Sequence, residues 1–142
     1  MAMSELQAAQ ADLIEDFRLF DNWIDRYQYI IDLGKELPEF PEEWRNEENR
    51  IHGCQSQVWL RTDCANGRLE FQAISDSAIV SGLIAILMRV YSGKPAGEII
   101  DAAPDFIGVI GLDEHLSPTR SNGLNSMIQA IKRAAGACVD AA

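Results

Sequence analysis

The stretch from Val58 to Ala73 limits the fold of this chain more than any other. Val58, Leu60, Thr62 and Cys64 alternate with Trp59, Arg61 and Asp63, the two-residue period of a half-buried strand. Asn66-Gly67 follows, and both residues tolerate the positive φ that a type I′ turn demands, so the chain doubles back there. Leu69, Phe71 and Ala73 alternate with Glu70 and Gln72 on the return. A hairpin with one apolar face needs a cover. The next segment supplies it. From a cap at Asp76 or Ser75 to Ser92, with Gly93 as the stop, Ile79, Val80, Leu83, Ile84, Ile86, Leu87 and Val90 surround most of a helix. That pattern predicts a buried central helix.

Helical patterns lie on both sides of this pair. Ser4 caps a helix reaching Phe17, with Leu6, Leu13, Ile14 and Phe17 on one side. Asp21 or Asn22 caps the next, where Trp23, Tyr27, Ile30, Ile31 and Gly34 recur at helical spacing until Pro38 stops it near Leu37. Pro38 to Asn49 is dense in charge and reads as solvated loop, and Arg50 to His52 as a short strand. Pro95 suits the first turn of a short helix ending near Asp101, and Pro104 to Ile110 forms another that Gly111 breaks. Ser117-Pro118 starts the last helix, with Leu124, Met127, Ile128 and Ile131 on its apolar face. Lys132 and Arg133 near its end suit the helix dipole. The small-residue tail around Cys138 reads as frayed, and Cys64 as a packing residue. The expected fold class is α+β: a small antiparallel sheet of two to three strands, including the hairpin, packed with flanking helices.

At 142 residues the chain is expected to form one domain, 1–142, large enough for a core without staples. Its formal charge of 12 − 22 = −10 argues against a nucleic-acid or anionic-membrane surface. Ala78 to Met88, the longest apolar stretch, is too short to span a bilayer, and Met1 to Gln10 lacks the pattern of a signal peptide. Three cysteines without a disulfide-like spacing suit a reducing cytosol. The expectation is a soluble cytoplasmic protein.

Chemistry concentrates at Asn49 to Trp59, where Cys54 follows Gly53 and precedes Gln55, Ser56 and Gln57. Those neighbours are poor core material, so Cys54 reads as a loop-tip thiol available to react, or else as a small buried hydrophobe. His52 invites a Cys–His reading, but a thiol hydrolase also needs an orienting group and an oxyanion site, and no residue is singled out for either.

Gly53-Cys54-Gln55-Ser56-Gln57-Val58-Trp59 resembles the active-cysteine segment of the SufE-like sulfur-acceptor family. Tyr27 to Gly34, Ser75 to Val80 with Gly82-Leu83-Ile84, and His115 to Leu124 agree in order, so the resemblance is strongest over 27–134. It implies the layout of the iron–sulfur scaffold fold. It also implies a sulfur-transfer accessory protein rather than a stand-alone enzyme. Persulfide sulfur is taken from a pyridoxal-phosphate cysteine desulfurase onto Cys54, stimulating that enzyme, and passed to a downstream acceptor such as an iron–sulfur scaffold complex. The implied partner contacts are Gly53, Gln55, Ser56, Arg120 and Asp76, the last first of all a helix cap. No cofactor or metal is expected on this chain, since pyridoxal phosphate belongs to the partner. The family branch is left open, and so is a homodimer. The competing reading is an iron–sulfur or zinc scaffold using Cys54, Cys64 and His52, against which the cysteine spacing argues. A Cys54–Cys64 redox pair is a third.

Overall fold

A computed structural model of the chain describes residues 3–53 and 56–141. Its architecture is the expected α+β class. Helices α1 (Glu5–Phe17) and α2 (Trp23–Gly34) lead into two 3-10 turns, Glu42–Trp44 and Glu47–Asn49. Strands β1 (Val58–Ala65) and β2 (Arg68–Ser75) form the hairpin, and α3 (Ala78–Tyr91) follows. A two-residue strand β3 (Lys94–Pro95) precedes α4 (Ala96–Asp101), α5 (Asp105–Ile110), α6 (Leu112–His115) and the long α7 (Pro118–Ala141). The sheet order is β1-β2-β3, antiparallel throughout.

The hairpin forms as its turn chemistry requires. Asn66 and Gly67 both take positive φ, 56° and 75°, and Ala65 pairs with Arg68 across them. That register puts Leu69, Phe71 and Ala73 of β2 inward beneath α3. α3 is buried on most of its circumference, including Ile79, Leu83, Ile84, Ile86, Leu87 and Val90. It meets α2 backbone to backbone. A Cβ on Gly34 would lie 2.6 Å from the Gly82 backbone nitrogen, and one on Gly82 would overlap the Ile30 carbonyl. α1 closes the opposite side with Leu6, Leu13 and Phe17, and its buried Gln10 is fully engaged. Gln10 Nε2 donates to the Ala103 carbonyl (3.1 Å), and its oxygen accepts from the Phe106 N–H (3.1 Å).

Several expectations are corrected. The cap of α3 is neither Asp76 nor Ser75 but Ser77, whose hydroxyl accepts from the Val80 N–H. Pro95 stands at the N-cap of α4 and at the end of β3, because the Gly93 N–H bonds to the Leu69 carbonyl (2.7 Å) and the Ala96 N–H to that of Gly67 (2.9 Å). Pro38 to Asn49 is more than a solvated loop. Phe40 is buried and packs edge-on against Trp44, whose ring carries the Arg61 guanidinium at 4.3 Å.

The largest correction concerns the cysteines. α7 does not fray at Cys138; the helix continues to Ala141, Cys138 is buried, and its sulfur is bonded to that of Cys64. Seventy-four residues separate the two, so sequence spacing gives no sign of the pairing. The fold creates it by packing α7 on β2 and α3, which brings the end of the helix to the hairpin tip.

Candidate functional site

Cys54 and Gln55 lie outside the described residues, so the site is built from what flanks them. On the N-terminal side, Ile51 is anchored by its N–H to the Val58 carbonyl (2.9 Å), and Arg50 bridges to Trp59. Gly53 takes φ 95°, a conformation that side chains resist, and a Cβ there would stand 2.6 Å from Ser126 Oγ. Glycine is therefore required for its backbone angle, while the Ser126 hydroxyl, the end of a short rotatable side chain, could turn aside. On the C-terminal side, the Gln57 N–H donates to Asp76 Oδ1 at 3.2 Å. Asp76 directly follows β2, and Val58 pairs with Ser75, so this bond clasps the open end of the hairpin. Both flanks of Cys54 are thus tied to the scaffold.

Ser56 and Arg120 are brought together. They line a cleft of about 90 Å³ with Thr119 and Gly123 of α7 and apolar Val80 and Leu83 of α3. The Arg120 backbone N–H bonds to Ser117 Oγ (3.3 Å), while its side chain is exposed and holds no ion pair among the described residues. The Arg120 side chain and Ser56, two residues after Cys54 in sequence, thus share one cleft. Of the expected contacts, Gly53, Ser56, Asp76 and Arg120 surround one region, and Gln55 is outside the described residues.

The remaining candidates fall elsewhere. His52 is exposed, with Nε2 3.2 Å from Glu47 Oε1. His115 stacks on Trp23, ring centroids 4.5 Å apart. Cys64 sits at the far end of β1, roughly 20 Å along the strand from the residues that flank Cys54, and its sulfur is committed to Cys138. The fold therefore does not bring Cys64 and His52 together as a scaffold site, and Cys64 partners Cys138 rather than Cys54. No group of three His, Cys, Asp or Glu side chains that could hold a metal ion occurs among the described residues. Nor is any helix among them long and apolar enough to cross a membrane.

The layout, a small antiparallel sheet backed by helices, defines an α+β scaffold. It matches the solution structure of a hypothetical protein from Thermus thermophilus with TM-score 0.76, over 93% of this chain and 96% of that one, at 19% identity, which establishes the fold. Sequence goes further. Residues 11–135 match the model of the SufE family, described as an Fe-S metabolism associated domain. A SufE-like protein of Rhizobium meliloti is 53% identical over 84% of this chain and 89% of its own length, and one of Rhizobium etli is 50% identical over 90% of each. The chain belongs to the SufE family, and through it to iron–sulfur metabolism.

Proposed function

We propose that this protein is a persulfide carrier whose Cys54 takes sulfur from a pyridoxal-phosphate cysteine desulfurase and releases it to a downstream acceptor such as an iron–sulfur scaffold complex. The observation that carries this reading is the position of Cys54 inside a family match covering 11–135, between flanks fixed at Gly53 and at the Gln57–Asp76 bond. The chemistry is thiol–disulfide exchange. The Cys54 thiolate attacks the outer, protonated sulfur of the donor persulfide. A bond forms between Cys54 Sγ and that sulfur, and the donor S–S bond breaks with its electron pair leaving on the donor cysteine as thiolate. Cys54 becomes Cys54–S–SH. No oxidant is consumed, and the second transfer repeats the step with Cys54 as leaving group. Pyridoxal phosphate acts on the desulfurase alone.

Arg120, which lines one cleft with Ser56, supports the step by supplying positive charge that favours a sulfur anion. Gly53 and Ser56 keep the surroundings small enough to enter a donor pocket, with Asp76 fixing the exit of the segment. By removing sulfur from the desulfurase, the carrier raises its turnover, and the cytoplasm is the compartment that suits a reactive persulfide. The test is alanine production by a cysteine desulfurase in the presence of this protein. Wild type stimulates it, Cys54→Ser does not, and Arg120→Ala stimulates it less. Stimulation by Cys54→Ser equal to wild type overturns the reading.

A further inference from the structure

We infer that the outer edge of β1, beside the cysteine segment, is a docking strand for an extended acidic segment of a protein partner. The sheet order leaves β1 at an edge. Among the described residues its outer side is engaged at the start, where Val58 accepts from Ile51 and Trp59 bridges to Arg50. Because the Val58 carbonyl faces outward, strand alternation turns the N–H and C=O of Thr62 and Cys64 to the same side. Neither residue has a strand partner there among the described residues. An unpaired edge of this kind is a ready template for strand addition.

α7 packs on β2 and α3 and, with β1 and the segment before it, lines a hollow. Ser126 meets the Gly53 end and Cys138 the Cys64 end, with Ala130, Arg133 and Ala134 between them. The two alanines are small and leave room for a hollow of about 560 Å³ between helix and strand. The Cys64–Cys138 bond closes its far end.

Charge selects the occupant. In a chain of net charge −10, Arg18, Arg45, Arg68 and Arg89 are paired with carboxylates, and Arg26 with backbone carbonyls. Arg50, Arg61 and Arg133 hold no ion pair among the described residues, and all three line this hollow. The Arg61 guanidinium lies over the Trp44 ring, at a neighbouring cleft that Asp63 and Glu70 also line. Glu48, on the same wall, offsets one of the three charges, and the Glu47–His52 pair sits at the rim. A nucleic acid or anionic membrane would meet the long-range repulsion of the whole chain, whereas a short acidic strand meets only the local field. Backbone pairing at Thr62 and Cys64 supplies the register, and the arginines select the carboxylates. The proposal rests on the edge geometry and stands whether or not Cys54 accepts sulfur.

The experiment is an amide NMR titration of the full chain with a hexapeptide of alternating glutamate and valine, and with its lysine–valine counterpart. The acidic peptide is expected to shift Thr62, Cys64 and the three arginines and to slow exchange of the Thr62 and Cys64 amides, while the basic peptide does neither. Thr62→Pro removes an outward N–H without touching the β1–β2 ladder, and Arg50→Glu/Arg61→Glu/Arg133→Glu reverses the field. Each variant, its fold verified from the unchanged shifts of α3, is expected to weaken binding about tenfold or more. Cys54→Ser is expected to bind as wild type. Absence of shifts at Thr62 and Cys64, equal binding by the variants, or identical shifts with inorganic phosphate alone overturns the proposal. So does self-association that Thr62→Pro abolishes, which would assign the edge to a second copy of the chain.

Discussion

Tyr91 shows how a single residue departs from the pattern around it. It is fully buried at the end of α3, and its hydroxyl has no hydrogen-bond partner among the described residues. Burial disfavours the tyrosinate and pushes its pKa up to about 12 from an ordinary 10.0. The unfolded chain therefore gives up this proton near pH 10 while the folded one retains it. The stabilisation is complete below pH 10 and is lost as pH rises through about 12. Spectrophotometric titration is expected to show an ionisation near pH 12 that Tyr91→Phe removes; absence of that high-pH step would contradict the burial. Tyr91→Phe keeps the ring and deletes the orphan hydroxyl, so it is expected to raise stability by about 1 kcal/mol in urea unfolding. Nothing in the apolar run of α3 distinguished this tyrosine from a surface one. At the same scale, Gly53 was legible as a neighbour of Cys54, but its approach to Ser126 depends on where α7 comes to rest.

At the scale of elements, local signals and long-range ones separate cleanly. Asn66-Gly67, the α3 pattern, the Asn22 cap and the break at Gly111 were readable because each is decided by neighbours within a few residues. β3 was not, since two residues carry no period and exist as a strand only because Leu69 of β2 and Gly67 of the turn accept from Gly93 and Ala96. The α2–α3 crossing was equally hidden, although Gly34 and Gly82 are both visible in the sequence. Its test is Gly82→Ala, where the new methyl overlaps the Ile30 carbonyl and forces the helices apart. A loss of about 1–3 kcal/mol in urea unfolding is expected, and a neutral result would contradict the contact. The Cys64–Cys138 bond joins the hairpin tip to the end of α7 across 74 residues. Chain-entropy arguments give such a closure about 4 kcal/mol. Cys64→Ser/Cys138→Ser is expected to unfold at correspondingly lower urea, and reduction of wild type to give the same midpoint. Equal midpoints for oxidised wild type and the double variant would refute the crosslink.

For the whole molecule, the fold and the functional region were legible to different depths. The α+β class followed from one hairpin and one buried helix, and the cysteine segment from its unusual run of small and amide residues. The grouping of Ser56, Arg120 and Asp76 near that segment could not be read, because it needs α7 folded against α3 and β2 closed onto β1. Three cysteines serve two purposes in this arrangement. Cys64 and Cys138 are committed to each other, which leaves Cys54 as the cysteine outside that bond. The account therefore predicts that sulfur enters at one position only. The most direct test is intact mass followed by peptide mapping, after incubation with a cysteine desulfurase and L-cysteine. A gain of one sulfur, about 32 mass units and removable by a thiol reductant, is expected on the Cys54 peptide of wild type and absent from Cys54→Ser. Sulfur on the Cys64 or Cys138 peptide, or none on any, would contradict the carrier.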